Sequence, residues 1–396
     1  MSRRSIRVLS VATLVNAFGN GAYLATSVTY LTRIAGLSPS AMAVGLSVGA
    51  AAGIVAMTPL GYVADRYGPK RLQILGLLVL AGAYAALIDV RTPGAFAAVS
   101  CVIAVAMALS KSANGALAAG AVPAAERLHA RAYLRSAINL GIGLGTLAGS
   151  IPLVVHTAGA YAWILVLNVG SFLVAAVVIA AGVPEVARQQ APESGPRLIA
   201  LRDRPFLAFA ALDGLLTSTF NDLLSIGLPL WLVARTHAPL WLISAALVVN
   251  TAGCVLLQVR AARGIDGVPA GARIARHGAA LIGVACVLFG LTAGLPSWAV
   301  GLIVLLAAVV HVLGELWLST GSWAIVFGLA PETAQGQYQG TYFAGRQAGD
   351  MIAPLLITFC VLGLHTAGWF ALAVLFVIGG RAYRPIVAGG RLVNVA

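Results

Sequence analysis

Gly61-Tyr62-Val63-Ala64-Asp65-Arg66-Tyr67-Gly68-Pro69-Lys70-Arg71 is the stretch on which the fold turns. Two glycines seven apart bracket an Asp-Arg pair, and two bases close the segment. On either side lie long runs in which charged residues are almost missing. A short, charged, glycine-punctuated segment between two such runs reads as a turn between two membrane-spanning helices.

The whole chain supports that setting. Of 396 residues, 60% are hydrophobic and 9% charged, where a soluble domain would carry about 25% charged residues. The mean hydropathy is +0.94. These values exclude a soluble enzyme, a disordered chain and a disulfide-stapled module. A net charge of +13 would suggest nucleic acid in a soluble protein. Here it fits the excess of Lys and Arg on the cytoplasmic side of membrane proteins, and no nucleic-acid partner is expected. Cys101, Cys254, Cys286 and Cys360 lie in separate apolar segments with no metal-ligand spacing. Neither a metal nor a cofactor is expected.

Apolar runs against charged breaks predict twelve spans. The first six lie near 8–32, 40–64, 72–89, 94–117, 134–156 and 160–182. The next six lie near 206–233, 240–259, 277–295, 298–325, 340–362 and 366–387. Arg3, Arg4 and Arg7 before an apolar run imitate a signal peptide. The run is too long and contains Asn16 and Asn20, so it is expected to be a retained first helix. With the N-terminus in the cytoplasm, most of the 25 basic residues fall on that side, and Arg33, Arg91 and Arg235 fall outside. Both termini are therefore expected in the cytoplasm of a multi-pass cell-membrane protein.

The expected organisation is a six-helix bundle over 1–183, a cytoplasmic linker over 184–205 and a second six-helix bundle over 206–396. The linker holds Pro184, Pro192, Pro196 and Pro205 and reads as flexible, with some interfacial helix. A faint repeat relates the halves. At an offset of 201, Asn20 meets Asn221, Tyr30-Leu31 meets Trp231-Leu232, and Asp65 meets Asp266. At 200, Gly145 meets Gly345, Gly149 meets Gly349 and Lys111 meets His311. Parallel six-helix repeats occur in one large class of secondary transporters.

The loop quoted first resembles the signature of the major facilitator superfamily: Gly, three residues, Asp-Arg, any residue, Gly, then bases. The match runs through Gly61, Ala64, Asp65, Arg66, Gly68 and Lys70, with Arg71 closing it. Val63 and Pro69 depart from it. Lys111-Ser112-Ala113-Asn114-Gly115 is similar to the family's Arg-x-x-Gln-Gly pattern, with Lys for Arg and Asn for Gln. Gly141 to Ser150 resembles the glycine-rich antiporter motif, with Thr146 in place of its proline and Ser150 in place of its last glycine. The alternative for that segment is small-xxx-small helix packing. The resemblance implies two six-helix bundles, alternating access, and a conformational role for Asp65. Its carboxylate would lie near the N-terminus of the eleventh helix, about Gln337–Thr341, holding the halves together while the cavity faces outward.

Ionisable groups inside spans cost roughly 2.5–3.5 kcal/mol each near the bilayer centre, so they are functional candidates. Asp213, near one end of its span, is expected to reach the interface. Asp222 shares a helical face with Ser218, Ser225 and Pro229, and a solvent-lined cavity is expected there. Glu315 and His311 lie four apart and could share a proton. With Asp222 and Lys111 they are the proton-coupling candidates. Arg346 and Asp350, also four apart, are expected to form an intrahelical ion pair. Asn16, Asn20, Tyr23, Ser27 and Tyr30 form a polar, aromatic stripe. With Asn114 and Asn221 they are the candidate substrate contacts. The resemblance implies that spans 1, 4, 7 and 10 line one cavity.

Gly45-Leu46-Ser47-Val48-Gly49 spells a hydrolase pattern, but within an apolar run it reads as helix packing rather than a strand-to-helix elbow. The expected function is secondary transport: proton-coupled efflux of a small amphiphilic compound, with metabolite import as the alternative. A membrane-embedded lipid hydrolase is the remote third reading. The expected partners are the small-molecule substrate, protons and the lipid bilayer, with the chain a monomer.

Overall fold

The computed structural model describes residues 3–123, 126–155, 157–185, 198–265 and 267–390. The described residues form helices and connecting turns, with no strand among them. Most of the expected linker, and Asp266 of the repeat, lie outside the described residues.

In the first half the helices are α1 (Arg3–Thr29), α2 (Pro39–Tyr67), α3 (Pro69–Ala86), α4 (Pro93–Gly120), α5 (Arg127–Gly149), α6 (Ile151–Val155) and α7 (Ala158–Gly182). In the second they are α8 (Arg204–Asp222), α9 (Leu228–Arg235), α10 (Trp241–Ala261), α11 (Gly267–Gly290), α12 (Ser297–Leu329), α13 (Gln335–Thr358) and α14 (Thr366–Gly390). The short α6 continues the fifth span beyond a break at Ser150. A π turn, Leu223–Gly227, joins α8 to α9 within the seventh.

The starts are built locally. Ser38, Thr92, Thr157 and Asp203 each accept a hydrogen bond from the backbone N–H three residues on, capping α2, α4, α7 and α8. Proline opens α2, α3 and α4, where its missing N–H costs nothing.

Ten helices among the described residues are long and apolar enough to cross a membrane. The seventh and eleventh spans fall outside that group, and they carry Asp213, Asp222, Arg346 and Asp350. Two starts differ clearly from expectation. The fifth helix begins at Arg127 rather than near 134, and the ninth at Gly267 rather than near 277. Their arginines remain helical at the ends of the spans: Arg273 of the ninth is exposed, while Arg127 of the fifth is buried.

The chain divides into two compact units. One comprises 1–200 with 330–344, the other 201–329 with 345–396. In the first, Leu77, Phe96, Leu117, Leu134, Leu165 and Phe172 belong to one apolar core. Gly141 and Gly149 lie against the backbone of α1 at Leu14 and Ala22, so α1 and α5 pack at backbone distance. The second unit repeats the device, with Gly345 and Gly349 on Ala210 and Gly214. Gly45 and Gly49 pack α2 on Phe96 and Ser100, while Ser47 between them is exposed. That is helix packing, not a nucleophile elbow.

Candidate functional site

In the first unit the loop between α2 and α3 is built around two glycines. Gly68 has φ +100, a conformation that side chains rarely adopt, and lets the chain turn from Tyr67 into Pro69. Gly61 lies directly against Gly336 and Gln337, leaving no room for a Cβ. This approach delivers Asp65 to the first turn of α13. Asp65 Oδ1 accepts from Gly336 N at 2.7 Å, and Oδ2 from Gln337 N at 3.0 Å. Free N–H groups and the helix dipole both favour a carboxylate there. The bases of the loop point elsewhere. Arg66 donates to Tyr62 Oη (3.2 Å), Lys70 to the Ala180 carbonyl near the end of α7 (2.8 Å), and Arg71 pairs with Glu185 (3.1 Å).

A second tie to the same segment escaped the sequence reading. Arg127, buried at the start of α5, forks onto Glu332 at 2.7 and 2.6 Å and donates Nε to the Ala119 carbonyl at the end of α4 (2.9 Å). Thr58 and Thr341 are hydroxyl to hydroxyl at 3.0 Å. Gln339, fully buried, rests on Gly115, and neither polar atom of its amide has a hydrogen-bond partner.

The first unit also contains a cavity of about 450 Å³ among α1, α3, α4, α5 and α7. Thr13, Asn16, Asn20, Gln73, Ser110, Lys111 and Asn114 form its polar lining. Asn20 donates to Asn16, through both the backbone carbonyl and the side chain. Tyr23, Tyr84 and Phe172 form an aromatic wall. Tyr23 stands edge-on to Tyr84 at 4.9 Å, and Tyr84 stacks on Phe172 at 5.4 Å. Among the described residues, Lys111 is the one Lys, Arg, Asp or Glu on the lining. Ser27 and Tyr30 depart from expectation. Ser27 donates back to the Leu24 carbonyl, and Tyr30 is buried in the core with its hydroxyl on the Ile88 carbonyl at 2.9 Å. Neither is on the cavity lining, and each hydroxyl has a backbone carbonyl as partner.

In the second unit Glu315 is buried within α12. Asn250 Nδ2 donates to its Oε2 at 2.6 Å, and Cys254 Sγ to its Oε1 at 3.5 Å. Asn250 and Cys254, one turn apart on α10, were not singled out from the sequence. His311 does not turn to Glu315. Its Nε2 lies 3.0 Å from the Phe220 carbonyl, which can only accept, so Nε2 carries a proton. Nδ1 has no hydrogen-bond partner.

Three expectations for the acids change. Asp213 does not reach the interface: it is fully buried, and its Oδ1 accepts from Ser322 and from Tyr383 Oη (2.6 Å). Position along a helix sets depth, but not the direction of the side chain. Asp350 accepts from Ser218 Oγ at 2.5 Å, a bond between helices in place of the expected intrahelical pair with Arg346. Ser218 also reaches the Arg346 carbonyl at 3.2 Å. Ser218 thus faces α13, on the same face of α8 as Asp222 four residues on. The π turn after Asp222 breaks the helical period only beyond it, toward Ser225 and Pro229. Asp222 is half-buried, with Ser225 donating to it at 3.3 Å, and Asn221 beside it is exposed.

Residues 9–354 match the profile of the Major Facilitator Superfamily. The chain belongs to this superfamily. Among curated proteins it is similar to the uncharacterized MFS-type transporter YdeE of Escherichia coli K12, 22% identical over 95% of this chain and 93% of that one. Among solved structures it resembles a bacterial homologue of the iron transporter ferroportin in an outward-facing state, at TM-score 0.78 and 14% identity, covering 98% of this chain and 99% of that one. It also resembles the proton:xylose symporter XylE, at TM-score 0.71 and 13% identity over 96% and 95% of the chains. The human organic anion transporter MFSD10 gives 0.68 and 19% over 96% and 99%. At these identities the structures establish the fold. The chain is a multi-pass membrane transporter.

Proposed function

We propose that this transporter exports a small amphiphilic compound in exchange for protons, by alternating access in the cell membrane with both termini in the cytoplasm. The observation that carries the substrate class is the cavity of about 450 Å³ with amides and Lys111 on its polar lining and a Tyr23–Tyr84–Phe172 wall. Such a lining suits a molecule with an apolar ring system and a polar group. Asn16, Asn20, Tyr23, Lys111 and Asn114 are its contacts. Coupling is assigned to Glu315, with Asp222 the second candidate. A buried acid inside a membrane helix is costly when charged and readily exchanges that cost for a proton. Protonation changes the relative stability of the inward- and outward-facing states. Asp65 acts on conformation: its bonds to Gly336 and Gln337 are made in one state and released in the other.

Import of a metabolite by symport is the second reading. It is favoured by the fifth helix, where Gly141 and Gly149 serve as packing contacts to α1 and Ser150, not glycine, stands at the break.

Inverted vesicles with an acid interior test the choice. Substrate-triggered proton release is measured across a panel of amphiphiles for the wild type, Asp222→Asn and Glu315→Gln. Release that disappears in Glu315→Gln supports antiport with that acid. Release that survives both variants keeps antiport and rejects both assignments. Silence across the panel with folded protein favours import.

A further inference from the structure

A second cavity, of about 470 Å³, lies within the second unit between the first turns of α11 and the last turns of α14. Arg273, Arg276 and Arg384 line it together with Pro269, Ala272 and Val387. The helices meet tightly just beside it. A Cβ on Gly380 would stand 2.7 Å from Ala279 Cβ and 3.4 Å from Arg276 Cα. One turn further along α14 the helices part, and the cavity opens between them. Three arginines thus line one cleft together with apolar residues. No carboxylate among the described residues pairs with them. Arg276 makes one further contact, from Nη2 to His277 Nε2 at 3.4 Å.

We propose that this cavity binds the phosphodiester headgroup of an anionic phospholipid. The chemistry is that of a phosphate. Arginine forks match phosphate oxygens in a bidentate way, and the N-terminal end of α11 adds a favourable dipole. The lipid source follows from place and lining. The cavity lies at the ends of two membrane-spanning helices, where headgroups are found, and Pro269, Ala272 and Val387 offer apolar surface to the glycerol and the upper acyl chain. Basic pockets between transmembrane helices are suited to such headgroups. Charge at the membrane surface alone would scatter arginines outward; here three from two helices line one open cleft.

Native mass spectrometry of the full chain, released from detergent with dioleoyl-phosphatidylglycerol or dioleoyl-phosphatidylcholine, reads the bound lipid directly. The wild type is expected to retain phosphatidylglycerol over phosphatidylcholine. R273Q/R276Q/R384Q should lower that retention about tenfold or more, at roughly a few-fold per arginine. R260Q/R263Q removes two neighbouring arginines outside the cavity and should leave retention unchanged. A388W fills the cavity from its exposed rim with every charge in place, and should release the lipid even if the triple variant does not fold. Equal loss in R260Q/R263Q, or wild-type retention in A388W, overturns the site. Displacement of the lipid by equimolar glycerol 3-phosphate keeps the phosphate chemistry and overturns the lipid as its source.

Discussion

At the scale of single residues, one carboxylate organises the start of α13. Asp65 offers each of its oxygens to one backbone N–H, and hydrogen bonds to a charged group are worth about 1.5–3 kcal/mol each. Asparagine keeps one acceptor and turns an NH₂ toward the second amide. In Asp65→Asn the Gly336 and Gln337 amides should therefore exchange hydrogen about 10 to 100 times faster, as read by exchange mass spectrometry of the peptide over 332–341. Unchanged protection would mean that Gly61 packing, not the carboxylate, holds the segment. Asp65 was legible because a charged motif stands out in a chain this apolar. Its partner came from the family resemblance rather than from spacing. Arg127 was hidden for the opposite reason. It is one of many arginines that charge counting sends to the cytoplasmic side, and Glu332 is 205 residues away in the chain. Tyr30 was misplaced because a stripe of polar residues does not reveal that a tyrosine hydroxyl will find the Ile88 carbonyl.

At the scale of elements, the twelve spans were readable from apolar runs because a membrane helix must satisfy its own backbone within an apolar surrounding. The ends were less readable. Arginines in the first turns of α5 and α11 look like loop residues, although helix continues beneath them. Packing partners were the least legible, and the glycines of α5 show what decides them. Gly141 and Gly149 meet α1, whereas Gly143, in the same run, has open space around it. The same substitution should accordingly give opposite outcomes. Gly149→Ala should lower stability by about 1–3 kcal/mol through forced separation of α1 and α5. Gly143→Ala should be neutral or slightly stabilising, since alanine is the better helix former. Thermal unfolding in one detergent compares them, and equal shifts would contradict the packing described.

At the scale of the whole molecule, residues 330–344 lie within the second half in sequence but pack with the first. Asp65 and Arg127 both hold this segment. Polypeptides 1–190 and 191–396, expressed together, should therefore co-purify through a tag on the first. Combining Asp65→Ala with Arg127→Ala should reduce recovery of the second severalfold. Undiminished recovery would show that these ties contribute little to the association. The π turn of the seventh span has a different kind of consequence. A π turn holds one residue more than the α-helix it interrupts, and each residue of an α-helix swings its neighbours by about 100°. Leu223–Gly227 is such a turn, placed directly after Asp222. The bearing of Asp222 relative to Trp231 is thus written in the number of residues between them as much as in their kind. A one-residue deletion that leaves every side chain chemically intact would re-aim that acid around the helix, as a missed stitch rotates the rest of a braid.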